Sequence, residues 1–130
     1  MGMTMTAIKG DPAYNVPFHY SEFNDMREAL AAAISDNFRA EVQKARKEKR
    51  DWCHETYLTS NHKLFPLYDA IDCQGSFTSD EAWDILIGLG ELPAEHELCF
   101  NGNQPLLATY QSFCTLLEYA VQNGLEVIWN

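Results

Sequence analysis

Residues 69–81 read "DAIDCQGSFTSDE". Four carboxylates (Asp69, Asp72, Asp80 and Glu81) surround Gly75, with Ser76 and Thr78 beside them. Such a stretch is a cation-binding loop, a loop that keeps only the shape of one, or the acidic start of a helix. Its second half favours a helix start. Thr78 stands where an N-cap belongs, Glu81 follows three residues later as the other half of a capping box, and Phe77 occupies the staple position. "DEAWDILIGLG" then carries Trp83, Ile85, Leu86 and Leu89 at helical spacing, with Gly88 or Gly90 as the stop.

The surroundings fit a helical chain. Ahead of the loop, "HKLFPLYD" is short and apolar, and Pro66 confines any helix there to a late start. Thr59 or Ser60 offers it a cap. After the loop, "LPAEHELCF" predicts a short helix opened by Pro93, "NGNQP" a turn, and "TYQSFCTLLEYAVQNG" a long amphipathic helix stopped at Asn123–Gly124. "LEVIWN" is a terminal strand or an extended tail. Nearer the start, Phe23, Met26, Leu30, Ile34, Phe38 and Val42 form a helical stripe behind Ser21 as N-cap. "SDN" at 35–37 leaves open one long helix or two. Residues 1–20, with Pro12, Pro17 and two glycines, predict an irregular arm. The chain thus divides into an arm (1–20), a helical segment with a basic end (21–58), a double helix–loop–helix region (59–122) and a tail (123–130).

Charge is segregated. Up to Lys63 there are nine acidic and nine basic residues; from Leu64 onward there are ten acidic residues and no Lys or Arg, which accounts for the net −10. That field disfavours nucleic acid as a ligand and favours basic peptides. Residues 39–50, by contrast, hold six basic and two acidic side chains, a helix face suited to solvent or to an acidic surface. Packing of 38–52 against the acidic half, in one chain or between two, is the sharper expectation. No apolar run is long enough to span a bilayer and no secretory apolar stretch opens the sequence. Cys53, Cys73, Cys99 and Cys114 are expected as reduced, mostly core-filling thiols in a cytoplasmic protein. His96-x-x-Cys99 has zinc-ligand spacing but no second tight pair joins it, whether from Cys53, His54, His62 or Cys73. Cys53–His54 lacks a nucleophile's setting, and phosphate- and dinucleotide-binding fingerprints are missing. An enzyme is not expected.

The run "LFPLYDAIDCQGSFTSDEAWDILIGLGELPAEHEL" resembles the EF-hand segments of calmodulin, troponin C and myosin light chains. The family writes Phe-x-Leu-(Phe/Tyr)-Asp at the end of an entering helix, then an acidic loop with a central Gly and a closing Glu. Leu-Gly ends the exiting helix and Pro-x-Glu-x-Glu-Leu opens the next hand. Here these are Phe65, Leu67, Tyr68 and Asp69; Gly75, Phe77 and Glu81; Leu89 and Gly90; Pro93, Glu95, Glu97 and Leu98. The resemblance covers residues 60–122 and implies a mainly α fold: an EF-hand-like pair preceded by one long or two shorter helices.

Its departures bear on calcium, which needs six to eight oxygens from loop positions 1, 3, 5, 7, 9 and 12. With Gly75 at position 6, Ala70 falls at position 1, Asp72 at 3, Gln74 at 5, Thr78 at 9 and Glu81 at 12. Asp69 substitutes at position 1 only if the loop bulges. The second loop, counted from Asn101, has Leu106 in place of Gly and Ser112 in place of Glu. Calcium binding is therefore expected to be weak or lost. The resemblance then implies a light-chain-like role: clasping a basic amphipathic helix, such as a myosin neck-like segment, in an apolar trough. Trough candidates are Phe65, Leu67, Phe77, Trp83, Ile85, Leu86, Leu89, Leu98, Phe113, Leu116 and Leu117, under an acidic rim of Asp80, Glu81, Asp84, Glu91, Glu95 and Glu97. The rival reading is a small acidic inhibitor that mimics nucleic acid, as a phage-encoded blocker of a host defence complex would.

Overall fold

The computed structural model describes residues 2–19, 21–48, 58, 61–70 and 74–130. The expectations for Asp72, for Cys53, His54 and Cys73, for caps at Thr59 or Ser60, and for the basic stretch beyond Glu48 lie outside the described residues.

The fold is mainly helical with one small antiparallel sheet. The strands are β1 (Met3–Ala7), β2 (Val16–Phe18), β3 (Gly75–Phe77) and β4 (Val127–Trp129), in spatial order β2-β1-β4-β3. The helices are α1 (Glu22–Ile34), α2 (Asp36–Glu48), α3 (Phe65–Asp69), α4 (Ser79–Gly90) and α5 (Gln104–Asn123), with 3-10 turns at Pro12–Tyr14 and His96–Phe100.

The expected irregular arm is corrected by β1 and β2. Their period-two pattern is short but present: Met5, Ala7, Val16 and Phe18 are buried while Thr4 and Pro17 face out. Pro17 is tolerated because β2 is an edge strand and a missing N–H breaks no ladder on that side. The prolines and glycines that suggested irregularity serve instead as an edge position and a tight link. Asp11 caps the 3-10 turn, its side chain accepting from Ala13 N. The C-terminal stretch is a strand: β4 enters the sheet between β1 and β3, pairing Ala7 with Val127 and Phe77 with Val127 from opposite sides.

The 21–48 segment forms two helices. Ser35 is fully extended (φ −169°). Its hydroxyl accepts from Phe38 N at 3.0 Å, so it caps α2 while ending α1. Ser21 does not act as the expected N-cap. It lies in the left-handed region and makes no side-chain cap bond; Glu22 reaches back instead and accepts from His19 N. α5 ends as its sequence predicts. Gly124 takes φ +63°, a conformation that penalises any side chain with a Cβ, and its N–H bonds back to Ala120 and Val121.

One core joins sheet and helices. Phe18, Phe23, Phe77, Phe113 and Trp129 meet edge-on or tilted, with centroids between 4.7 and 6.5 Å apart. These geometries suit aromatic quadrupoles. α1 and α2 add Met26, Leu30, Phe38 and Val42, all at most 1% exposed. Arg27 is the buried charge among the described residues. Its guanidinium stacks on the Phe23 ring, donates to the carbonyls of Leu67 and Ala70, and meets Asn24 Oδ1. It thereby holds the C-terminal end of α3 against α1, where carbonyls lack helical partners and a cation is favoured.

Candidate partner-binding surface

The expected loop closes as the start of a helix. Thr78 Oγ1 accepts from Glu81 N at 3.1 Å, and Glu81 Oε1 accepts from Thr78 N at 2.9 Å, a complete capping box. Thr78 and Glu81, two of the five side chains proposed as calcium ligands, thus already satisfy backbone donors. Asp69 and Gln74 are exposed. Among the described residues no group of three or more His, Cys, Asp or Glu is placed to hold a metal ion.

Two loop features differ from the expectation. Gly75 has no positive φ; among the described glycines only Gly102 and Gly124 do. It is an extended residue of β3 rather than the pivot of a sharp turn. Nor does β3 pair with a second loop: its partner is β4, Ser76 lying opposite Ile128. The stretch read as a second loop, 101–112, is loop only as far as Asn103. Asn103 caps α5 by accepting from Leu106 N, and Pro105 sits in the first turn, where its missing N–H costs nothing. An Asn cap followed by Gln-Pro is a helix-start signal, so the expected turn at "NGNQP" ends at Asn103.

Most of the expected trough is core. Leu67, Phe77, Ile85, Phe113, Leu116 and Leu117 are at most 1% exposed and Leu89 is 5% exposed. The sheet, absent from the sequence expectation, covers the face an open trough would have presented. Phe65 and Leu86 are half-buried. Trp83 is different, at 54% exposed. It stands on the outer face of α4 with Asp80 one turn before it and Leu86 and Ile87 one turn after. Of the expected rim, Asp80, Glu91 and Glu95 are exposed, while Glu81, Asp84 and Glu97 are half-buried. Asp84 receives the Lys63 ammonium at 3.2 Å, and Glu97 accepts from Gln111 Nε2. Leu98, in the 3-10 turn, is 77% exposed.

The basic segment packs on α1 through Val42 and Ala45, and Phe38 meets Tyr68 edge-on at 4.8 Å. Arg46 pairs with α1, reaching Asp25 at 2.9 Å and Glu28 at 3.1 Å. The expected pairing of this charge with the acidic half of the same chain is not what Arg46 does. Arg39, Lys44 and Lys47 remain on the exposed face.

His96, considered for zinc, is engaged elsewhere. Its Nδ1 donates to Pro93 O at 2.9 Å, since a carbonyl only accepts; in the neutral ring Nε2 then accepts from the Tyr110 hydroxyl at 2.8 Å. Burial pushes Cys99 and Cys114 up to about 11 and raises Tyr110 as well. At neutral pH the thiols stay protonated, the opposite of what a nucleophile or a metal ligand needs. His62, the remaining zinc candidate, is exposed and accepts from Leu64 N through Nδ1.

Among the described residues no helix is long and apolar enough to cross a membrane. No protein-family model, curated protein or solved structure shows a significant match to this chain.

Proposed function

We propose that this chain is a non-enzymatic binding protein that holds a basic amphipathic helix of a partner against the outer face of α4. The observation that carries the reading is the exposed Trp83 among carboxylates: 54% of an indole is left in solvent, next to Asp80 and half-buried Leu86 and Ile87. Tryptophan is among the residues that dominate interface energetics. Carboxylates around it favour Lys and Arg on the incoming helix and set its approach more than its final affinity. This is the role that the light-chain resemblance of residues 60–122 implies, with calcium weak or absent.

The test is a titration of the full chain with a synthetic amphipathic helix of leucine and lysine, with and without calcium. Binding in the micromolar range, weakened at least about tenfold by Trp83→Ala and insensitive to calcium, supports the reading. Binding that ignores Trp83→Ala overturns it. The absence of Lys and Arg from 64–130 supports one rival, a charge-only mimic of nucleic acid. A scrambled peptide of equal charge that binds as well as the helical one would favour that rival.

A further inference from the structure

A cavity of about 350 Å³ lies between residues 13–15 and the outer face of α5, a volume within the range of small-molecule sites. Its α5 wall is Ala108, Gln111, Ser112 and Thr115, spaced i, i+3, i+4 and i+7 and therefore on one face of the helix. Tyr14 and Asn15 stand on the other side. The two walls are fixed to each other. Tyr14 stacks on Tyr119, one turn beyond Thr115, with ring centroids 4.1 Å apart and planes 7° from parallel. The Tyr119 hydroxyl in turn accepts from Asp11 N at 2.8 Å. The cavity is thus formed in the chain alone, which lowers the ordering cost of filling it.

Its chemistry is neutral and hydrogen-bonding. In a chain of net charge −10, no residue lining this cavity carries a charge. An ionic ligand would find no counter-charge in it. The Asn15 amide, half-buried, and the Ser112 hydroxyl have no hydrogen-bond partner among the described residues. Gln111 gives its Nε2 to Glu97 at 3.3 Å, which leaves Oε1 as an acceptor. Thr115 Oγ1 donates to Gln111 O and can still accept. Donors and acceptors therefore mingle beside an aromatic residue that is 37% exposed. A sugar suits that mixture. Each of its hydroxyls both donates and accepts, and its C–H groups are drawn to the negative face of an aromatic ring. An apolar ligand of the same size would cover these polar groups without pairing them. We propose that this cavity binds an uncharged sugar unit, its ring against Tyr14 and its hydroxyls on Asn15, Gln111 and Ser112. Free sugars and the ends of glycans share this chemistry. None of these residues belongs to the α4 face that carries Trp83, so the inference does not depend on the helix-binding reading.

Amide chemical-shift titration of the full chain tests this, with glucose, galactose, mannose and N-acetylglucosamine as separate probes. A hexose has about 12 non-hydrogen atoms, which sets the expected Kd on the order of 1 mM. Saturable shifts confined to 13–15 and 108–115 are expected with at least one sugar. Ala108→Phe fills the cavity from an exposed position. It should raise Kd at least about tenfold while circular dichroism and the melting temperature stay as they are. Ser112→Ala, also exposed, should raise Kd roughly three- to tenfold. Tyr14→Phe should bind as the parent does, since only the ring is used. A parallel arm on immobilised glycans separates the sources: capture there at least about tenfold tighter than the free sugar assigns the site to glycan ends, and equal affinity assigns it to free sugars. The proposal is overturned by the lack of saturable binding on both arms, by shifts centred elsewhere, by binding that ignores both Ala108→Phe and Ser112→Ala, or by uncharged nucleosides binding where sugars do not.

Discussion

Gly75 lies against the face of Trp129: a Cβ added to the glycine would fall 2.6 Å from the indole. The two residues are register partners across β3 and β4, and the indole is itself held by Phe23 and Phe77. The loop's one glycine is thus a packing residue. Gly75→Ala should destabilise the protein by about 1–3 kcal/mol through overpacking, because Trp129 is 2% exposed and has nowhere to retreat. Urea unfolding measures this. A change below about 0.5 kcal/mol would show that the indole does not sit there.

Thr78 and Glu81 bond each other's backbone at the start of α4. Thr78→Ala removes an acceptor that no neighbour replaces and should cost about 1 kcal/mol. Glu81→Gln should cost less, since an amide oxygen still accepts from Thr78 N. If the pair instead served calcium, both changes would alter a calcium titration and leave metal-free unfolding untouched.

That capping box was legible in the sequence because it is local: two side chains and two N–H groups within four residues decide it. The stop at Gly124 was legible on the same grounds, whereas "SDN" at 35–37 left one helix or two open until the Ser35 cap on Phe38 N decided it. The sheet was not. Three of its strands are three residues long, too short for a period to show, and β4 lies more than a hundred residues from the strand it joins. The missed sheet also accounts for the misread trough. Leu67, Phe77 and Phe113 have the pattern of a groove or of a core, and only knowledge of what covers them separates the two. Trp83 is exposed because α4 buries Ala82, Ile85 and Leu89 on one side, which turns position 83 outward.

Arg27 ties α1 to the end of α3. It is 3% exposed, donates to Leu67 O and Ala70 O at 3.2 and 2.6 Å, and receives support from Tyr68, whose hydroxyl donates to Arg27 O at 2.6 Å. A lysine there keeps the charge but loses the planar fork and the stacking on Phe23. Arg27→Lys should therefore cost about 2 kcal/mol or more. Tyr68→Phe, which removes only one buried bond, should cost about 1–1.5 kcal/mol. Chemical unfolding of the two variants gives the ranking; a lysine variant as stable as the parent would refute the role given to the fork.

Cys99 and Cys114 set the alkaline limit of stability. Burial raises both thiols to about 11 from 9.0 in the free side chain. A raised acid is stabilised in its neutral form by folding, so this contribution is complete below pH 9 and is lost as pH climbs from 9 to 11. Tyr68 and Tyr110, also raised by burial, act in the same direction at still higher pH. In a Cys53→Ser/Cys73→Ser background, the melting temperature should hold steady from pH 7 to 8.5 and fall between pH 9 and 11. Adding Cys99→Ser and Cys114→Ser should flatten that fall. In the same background, reaction with a disulfide reagent at pH 8 should be slow until denaturant is added, since the thiolate is the attacking species. Rapid labelling of the folded chain, or a melting temperature that rises above pH 9, would contradict the burial of these thiols.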